Sequence, residues 1–346
     1  MKINLINIIK YILILGITAG LLWWSLTSIE VAEGQSRLGF VILVWNSANK
    51  PFIFLSGVIA IISHLIRAER WKLLLNPMGH PIGLGESFLS VMVGYFVNLI
   101  IPRGGELSRP YNLYRLNKTP IDVSFGTVLI ERVVDFLFLV TLIGISSLIE
   151  LDALIGFFRS MDLVYDVNDF MPRFTIILAV LTLVAVIGLT FRILLTKKRG
   201  VMLRLLAKFR KMFRGIKEGI KAVSKLEKRG LFIFYSLLIW VCYYLMSYAV
   251  MMSFPDTASL SLLAALTIFV IGGIAMTMPL PGGTGSYHVL VPAGLVFLYS
   301  IPQDKAVAFT VIFHGWHTLI IIVVGALALF ISQYKSKHKI YAKNRK

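Results

Sequence analysis

The sequence predicts an all-α, polytopic integral membrane protein, and three observations carry that prediction. Hydrophobic residues make up 57% of the 346 and charged residues 15%, with a mean hydropathy of +0.81, and a soluble domain cannot hide so much apolar surface. The apolar residues fall into runs long enough to cross a bilayer, which takes about 20 residues per helix. The basic residues gather beside those runs. Lys and Arg total 35 against 17 Asp and Glu, and residues 197–229 hold 13 Lys/Arg with 2 Glu while residues 335–346 add 6 Lys/Arg and no acid. These two stretches carry almost all of the net charge of +18. That is the pattern of cytoplasmic loops rather than of a nucleic-acid groove, so no nucleic-acid partner is expected. The single cysteine, Cys242, lies inside an apolar run; it forms no intrachain disulfide and reads as a small core residue.

The elements follow in order. A span over 11–29 follows Lys2 and Lys10, and its length and lack of a small-residue cleavage site mark it as a retained helix rather than a signal peptide. A second span, 51–67, ends in Arg67, Arg70, Trp71 and Lys72, which read as a positive-inside anchor with an interfacial tryptophan. A third, 121–149, leads to Glu150, Asp152, Asp162, Asp166 and Asp169, so residues 151–172 read as an extracytoplasmic loop. With both ends inside, the apolar segment 84–118 must enter from the cytoplasm and return to it, as a re-entrant hairpin tipped by Pro102-Arg-Gly-Gly-Glu106.

The second half runs the other way. A span at 173–195 leads to the basic linker 197–229, where Met202, Leu205, Leu206, Phe209, Phe213, Ile216, Ile220 and Val223 recur at helical spacing. That reads as an amphipathic helix lying on anionic lipid, or as a linker that only fixes topology. Spans at 231–253 and 304–333 follow, with the basic tail 335–346 inside. Residues 258–301 then start and finish outside, either as a hairpin dipping to Pro279-Leu-Pro-Gly-Gly-Thr-Gly-Ser286 or as two full spans. Residues 1–150 and 173–334 thus form two repeats of opposite orientation, each with a Gly/Pro-interrupted apolar segment, the sequence pointer to a transport site near the bilayer midplane. No segment outside the membrane is long enough for an independent catalytic domain.

Charge inside these runs needs an explanation. Asn98, Arg103, Glu106 and Arg109 surround the first interruption, and Glu131, Arg132 and Asp135 interrupt an apolar helix. Each unpaired charge at mid-bilayer costs roughly 2.5–3.5 kcal/mol on the insertion scale, so these groups must pair or meet water. The spacing offers Arg103 or Arg109 to Glu131 or Asp135, and Glu106 to Arg132. Such pairs could clamp the hairpin structurally. Alternatively an arginine is released to grip a phosphate, which guanidinium matches bidentately. Gly104 and Gly105 can adopt positive φ and turn backbone N–H groups into an anion-binding nest. Around the second interruption, Pro281, Gly282, Gly283, Gly285, Ser286, Tyr287 and His288 lack the lysine of a nucleotide-binding loop, so no nucleotide cofactor is expected. His288, His314 and His317 have no adjacent acid or thiol; packed histidines are expected rather than a metal site, with a proton relay as a further reading.

Four motifs together resemble a known family: Arg67-Ala-Glu-Arg-Trp-Lys-Leu-Leu74, Asn98 to Arg109 read as Asn-x3-Pro-x-Gly-Gly-Glu-x2-Arg, Glu131-Arg-Val-Val-Asp135, and Pro281-Gly-Gly-x-Gly285. In this order they resemble the transmembrane, flippase-like domain of lysylphosphatidylglycerol synthases and its stand-alone relatives. The resemblance implies an integral membrane protein that moves lipids between leaflets, with aminoacylated phosphatidylglycerol as the best-known cargo and polyprenyl-linked or other anionic lipids elsewhere. The aminoacyl-transferring soluble domain of the full synthases is absent, so synthesis of lysyl-lipid is not expected. His288 stands where the family's second motif usually continues to a glutamate.

The expectation is a lipid flippase or transporter in the plasma membrane of a bacterium or archaeon, with both termini cytoplasmic and anionic membrane lipids as partners. Its head-group site would draw on Asn98, Arg103 to Glu106, Arg109, Glu131, Arg132, Asp135, Pro281 to Gly283, Gly285, Ser286 and His288. The rival expectation is a scaffold for a cell-envelope glycosyltransferase or lipid-modifying enzyme. An intramembrane enzyme is weaker, since no nucleophile and base stand out.

Overall fold

A computed structural model describes residues 36–151 and 226–343, with helical placement also of residues 16, 20, 23 and 27. Apart from those four residues and Leu151, the expected spans at 11–29 and 173–195, the loop 151–172 and nearly all of the linker 197–229 lie outside the described residues. Every regular element within them is helical. These are α1 (Arg37–Ser47), α2 (Lys50–Leu75), α3 (Leu84–Asn98), α4 (Gly105–Asn117), α5 (Ile121–Ile149), α6 (Arg229–Ser253), α7 (Pro255–Ala258), α8 (Leu262–Thr277), α9 (Ser286–Tyr299) and α10 (Gln303–Lys343), with short 3-10 turns at Asn76–Met78 and Pro281–Gly283. By length and composition α2 with its 3-10 turn, α6 and α10 are able to cross a membrane, and the protein is an all-α integral membrane protein.

Three differences from expectation concern where helices lie and end. Residues 37–47 form α1, started by Ser36, whose Oγ accepts from the Gly39 N–H at 3.0 Å. The helix expected over 51–67 continues to Leu75 because its buried face continues: Ser56, Ala60, Ser63, His64, Arg67, Arg70, Trp71 and Leu74 recur every three or four residues. Likewise α10 runs through Lys343, so most of the expected tail is a continuation of the last span.

Segment 84–118 is a helical hairpin. Glu86 meets Asn117, Ser90 meets Asn112, and Gly94 lies against Gly105 and Arg109, so the arms run antiparallel. Segment 258–301 resolves in the same way. Ser286 Oγ donates to the Ala275 carbonyl at 2.8 Å, Gly272 lies against Tyr287, and Gly294 against Ile268 and Ile271. The arms hold 15 and 13 residues in the first hairpin and 16 and 14 in the second. At 1.5 Å per residue each is about 20–24 Å long, short of the ~30 Å hydrocarbon core. The second arm of each carries an internal proline, Pro110 in α4 and Pro292 in α9.

Some helix contacts recur between the two halves, while those of α2 with α5 and of α4 with α10 have no comparable counterpart. As α10 packs on α3, so α5 packs on α8; as α2 packs on α3, so α6 packs on α8. Helices α2 and α6 are antiparallel, since Asn49 N–H donates to Ser253 O at 2.7 Å while Arg70 reaches Ser236. Along α10, His314 touches the second tip through Gly282 O, Gly325 packs on Met92 and Phe96 of α3, and Ser332 meets Asn112 of α4. The hairpins therefore lie against opposite halves of α10 with their tips facing. The tips touch: a Cβ on Gly282 would fall 2.8 Å from Leu99 Cδ2.

The first tip is closed by Asn98, whose Oδ1 accepts the Gly105 N–H at 2.7 Å and so caps α4 across the turn. No side chain fits at Gly105, where a Cβ would lie 2.3 Å from the Gly94 carbonyl oxygen. Gly105→Ala is expected to lower stability by about 1–3 kcal/mol, read as a lower thermal midpoint in detergent. Gly144→Ala, at a position with nothing within 4 Å, is the control and should lose nothing. Equal midpoints for the two variants would contradict the close crossing of α3 and α4.

Candidate functional site

Three arginines and two acids converge beneath the first hairpin tip from three elements. Helix α2 supplies Arg67 and Arg70, α4 supplies Arg109, and α5 supplies Glu131 and Asp135, four residues apart and so on one helix face. Arg67 Nη1 donates to Asp135 Oδ2 at 2.8 Å, Arg70 Nη1 to Asp135 Oδ1 at 2.8 Å, and Arg70 Nε to Glu131 Oε1 at 3.2 Å. Arg109 Nη1 lies 2.7 Å from Glu131 Oε2. Helix α6 adds two hydroxyls: Ser236 Oγ accepts from Arg70 at 3.0 Å and Tyr243 Oη from Arg67 at 3.0 Å. Burial is nearly complete, with Arg70 and Glu131 at 0% exposure and Asp135, the most open, at 9%.

Arg67, Arg70 and Trp71 are therefore not the interfacial anchor that their place at the end of an apolar run implied. They turn inward because α2 continues past them and puts them on its packed face. Trp71 forms a floor for the site: its Nε1 donates to Thr127 Oγ1 at 2.8 Å, and the Arg109 guanidinium stacks 3.8 Å from its ring centroid.

The cluster sets three guanidiniums against two carboxylates, and Arg109 is the least satisfied of the three arginines. Its Nε and Nη2 are buried without a hydrogen-bond partner, and its approach to Glu131 Oε2 is close but out of line for a hydrogen bond. Arg70 is gripped by three acceptors and leaves one nitrogen, Nη2, unpartnered, as Arg67 leaves Nε. Arg109 opens onto a small recess shared with Tyr95, Asn98, Gly105, Glu106 and Arg132. Of the two ion pairs considered for the first tip, Arg109 with Glu131 forms. Glu106 and Arg132 line the same recess and form no ion pair with each other.

Arg103 sits apart, exposed at the tip with φ of 59°. The positive φ expected at Gly104 and Gly105 falls there instead. Gly104 has φ of −63° and the tip amides are used internally: Gly104 N–H donates to Ile101 O, Gly105 N–H to Asn98 and Glu106 N–H to Arg103 O. The first tip is thus a closed turn, not an anion nest. At the second tip Gly282, Gly283 and Gly285 do take positive φ. Pro281, Gly283, Ser286 and His288 are buried there and do not line the arginine recess. His314 Nε2 contacts Gly282 O at 3.0 Å, and the His288 and His314 rings stand 4.8 Å apart. Among the described residues no set of three His, Cys, Asp or Glu is placed to hold a metal ion.

Long apolar helices, two short-armed hairpins and a buried guanidinium–carboxylate network define a helical membrane protein organised around an ionised core. The chain belongs to the lysylphosphatidylglycerol synthase TM region family, which it matches over residues 8–325, and this ties it to a membrane-lipid-related role. It is also 34% identical over 98 residues to a UPF0104 membrane protein of Methanocaldococcus jannaschii. That alignment covers 28% of this chain and 29% of the relative. No solved structure matches the chain.

Removing one carboxylate leaves buried guanidinium unpaired, which typically costs 3–5 kcal/mol. Asp135→Asn, which strips a partner from both Arg67 and Arg70, is expected to destabilise by about that amount, measured by thermal unfolding in detergent. Arg132→Gln, at an exposed position without an ion pair, should stay within about 0.5 kcal/mol of the parent. Equal stability of the two variants would show that the network does not hold the bundle.

Proposed function

We propose that this protein moves an anionic lipid, a phospholipid or a polyprenyl-phosphate-type lipid, between membrane leaflets, with Arg109 as the group that takes the phosphate. The observation that carries this reading is the buried surplus guanidinium with two donors unsatisfied beside a polar recess. A guanidinium in that state has its desolvation already in place and lacks only an acceptor. A phosphate oxygen pair supplies two in the fork geometry that Arg binds best.

In the resting state Glu131 holds Arg109 by charge and Trp71 supports it by stacking. When a phosphate reaches the recess, Arg109 shifts from Glu131 to the ligand, and Arg132 at the rim adds a second positive charge. Glu131 stays paired through Arg70, so the exchange strands no carboxylate. Neutralising the surplus by an anion stabilises the ligated cluster, and a cation gains nothing from it.

The opposed hairpins supply the path. Non-helical backbone is tolerated at membrane depth only when buried in protein or lining a cavity, and two short-armed hairpins dipping from opposite faces bring polar tips together where a head group must pass. In this reading both are re-entrant, and both termini face the cytoplasm of a bacterial or archaeal cell. Envelope-biosynthesis enzymes that use the lipid are the proposed partners.

The test is lipid movement in liposomes holding purified protein and a panel of fluorescent lipids. Anionic lipids should cross faster than neutral ones. Arg109→Ala should slow them by about tenfold to a hundredfold, the loss of one charge-assisted hydrogen-bonded contact, with Arg109→Lys between. Folded protein that moves none of the panel, or an Arg109→Ala variant as fast as the parent, would sink the proposal.

A further inference from the structure

One wall of the recess beside Arg109 has no part in gripping a phosphate. Glu106 lines it from α4, one turn before Arg109 on the same helix face, and Arg132 reaches it from α5. Glu106 is half-buried and Arg132 exposed, and among the described residues neither belongs to an ion pair. The other titratable group on the wall is Tyr95 of α3, whose hydroxyl is engaged with that of Tyr243 at 3.3 Å. Glu131 lies behind Arg109.

A carboxylate in the first turn of α4 suits the helix dipole, but that role does not require it to line the recess. On the wall of an anion site a carboxylate weakens attraction, and repulsive groups of that kind set specificity by rejecting the wrong ligand. The charge balance identifies that ligand. Four guanidiniums, of Arg67, Arg70, Arg109 and Arg132, stand against three carboxylates, of Glu106, Glu131 and Asp135. The surplus is one positive charge.

A phosphodiester carries one negative charge, which cancels the surplus, and two non-bridging oxygens, which match the two unpartnered donors of Arg109, Nε and Nη2. A phosphomonoester carries about −1.5 to −2 at pH 7, its second pKa being about 6. Its second charge meets Glu106 with no surplus left to offset it, and like charges brought together are costly. Resting on the lipid-moving reading, we infer that Glu106 limits the recess to a singly charged phosphate, that of a lipid phosphodiester, and turns away a phosphomonoester. With Glu106 neutral the surplus is two, and a dianion fits. The selection operates above the second pKa of the monoester, about 6, and fades below it, where the monoester too is a monoanion.

The experiment uses full-length protein in detergent with fluorescent phosphatidylglycerol as the bound reporter. Two competitors with the same acyl chains displace it: phosphatidic acid, and phosphatidylmethanol, which differs by one methyl group and one charge. At about pH 8 phosphatidylmethanol should compete about tenfold or more better than phosphatidic acid, and at about pH 5 the two should compete alike. Glu106→Gln should strengthen phosphatidic acid at the higher pH by about tenfold, a gain that misfolding does not produce, and Glu106→Asp should keep the parent's preference. Equal competition by the two lipids at the higher pH, a gap that persists at the lower one, or a gap unchanged in folded Glu106→Gln overturns the inference. Each leaves the lipid reading standing as long as Arg109→Ala loses the reporter. A parent that binds no reporter, or a reporter that Arg109→Ala retains, sinks the lipid reading and this inference with it.

Discussion

An uneven charge count in a dry place governs this structure. Arg67, Arg70 and Arg109 meet Glu131 and Asp135 in the interior of an apolar bundle, where unpaired charge is most costly. The network joins α2, α4 and α5 by charge and α6 by hydroxyls, so four elements far apart in sequence are fixed by one set of contacts. Charge balance alone does not call for a third guanidinium: without Arg109, two guanidiniums would face two carboxylates, and Glu131 would keep Arg70 through Oε1. The extra arginine makes sense as a ligand-binding group, and its stacking on Trp71 keeps it in place without satisfying it.

The hairpins turn that cluster into a site. Each arm is shorter than the long apolar helices, and the tips meet beside α10, with Leu99 against Gly282. The close crossing at Gly94 and Gly105 brings α4 near enough to α2 and α5 for Arg109 to reach Glu131. The Asn98 cap then holds the turn so that the recess opens beside the guanidinium. The second tip, with its positive-φ glycines, presents carbonyls to His314 and no arginine. The two hairpins differ in chemistry, the first opening onto an arginine and the second onto a histidine.

The all-α membrane architecture was legible because membrane constraints are blunt: long apolar runs give membrane helices, and Gly/Pro interruptions give the turns between shorter ones. Residues 258–301 were open between a hairpin and two spans because charge parity is the same for both, and the lengths of the two arms need the helix ends. Glu131, Asp135 and Arg109 could be read as a site from their charge within apolar surroundings. Arg67 and Arg70 could not, because arginines following an apolar run usually mark the interface. The missed signal was the periodic row from Ser56 through His64 to Leu74, which continues the buried face through both arginines. Tyr95, Tyr243 and Ser236 carry no local mark, and their contacts arise from helix pairs distant in sequence. The glycines at 104 and 105 misled for a physical reason: they are needed for close approach, not for positive φ.

The central claim is that the surplus guanidinium exists to hold a lipid phosphate. Native mass spectrometry of protein released from its own membranes tests it most directly. The account predicts that the parent retains an anionic, phosphate-bearing lipid and that Arg109→Ala, equally folded, loses it while neutral lipids stay unchanged. Retention of the same lipids in the same proportion by both proteins would contradict it.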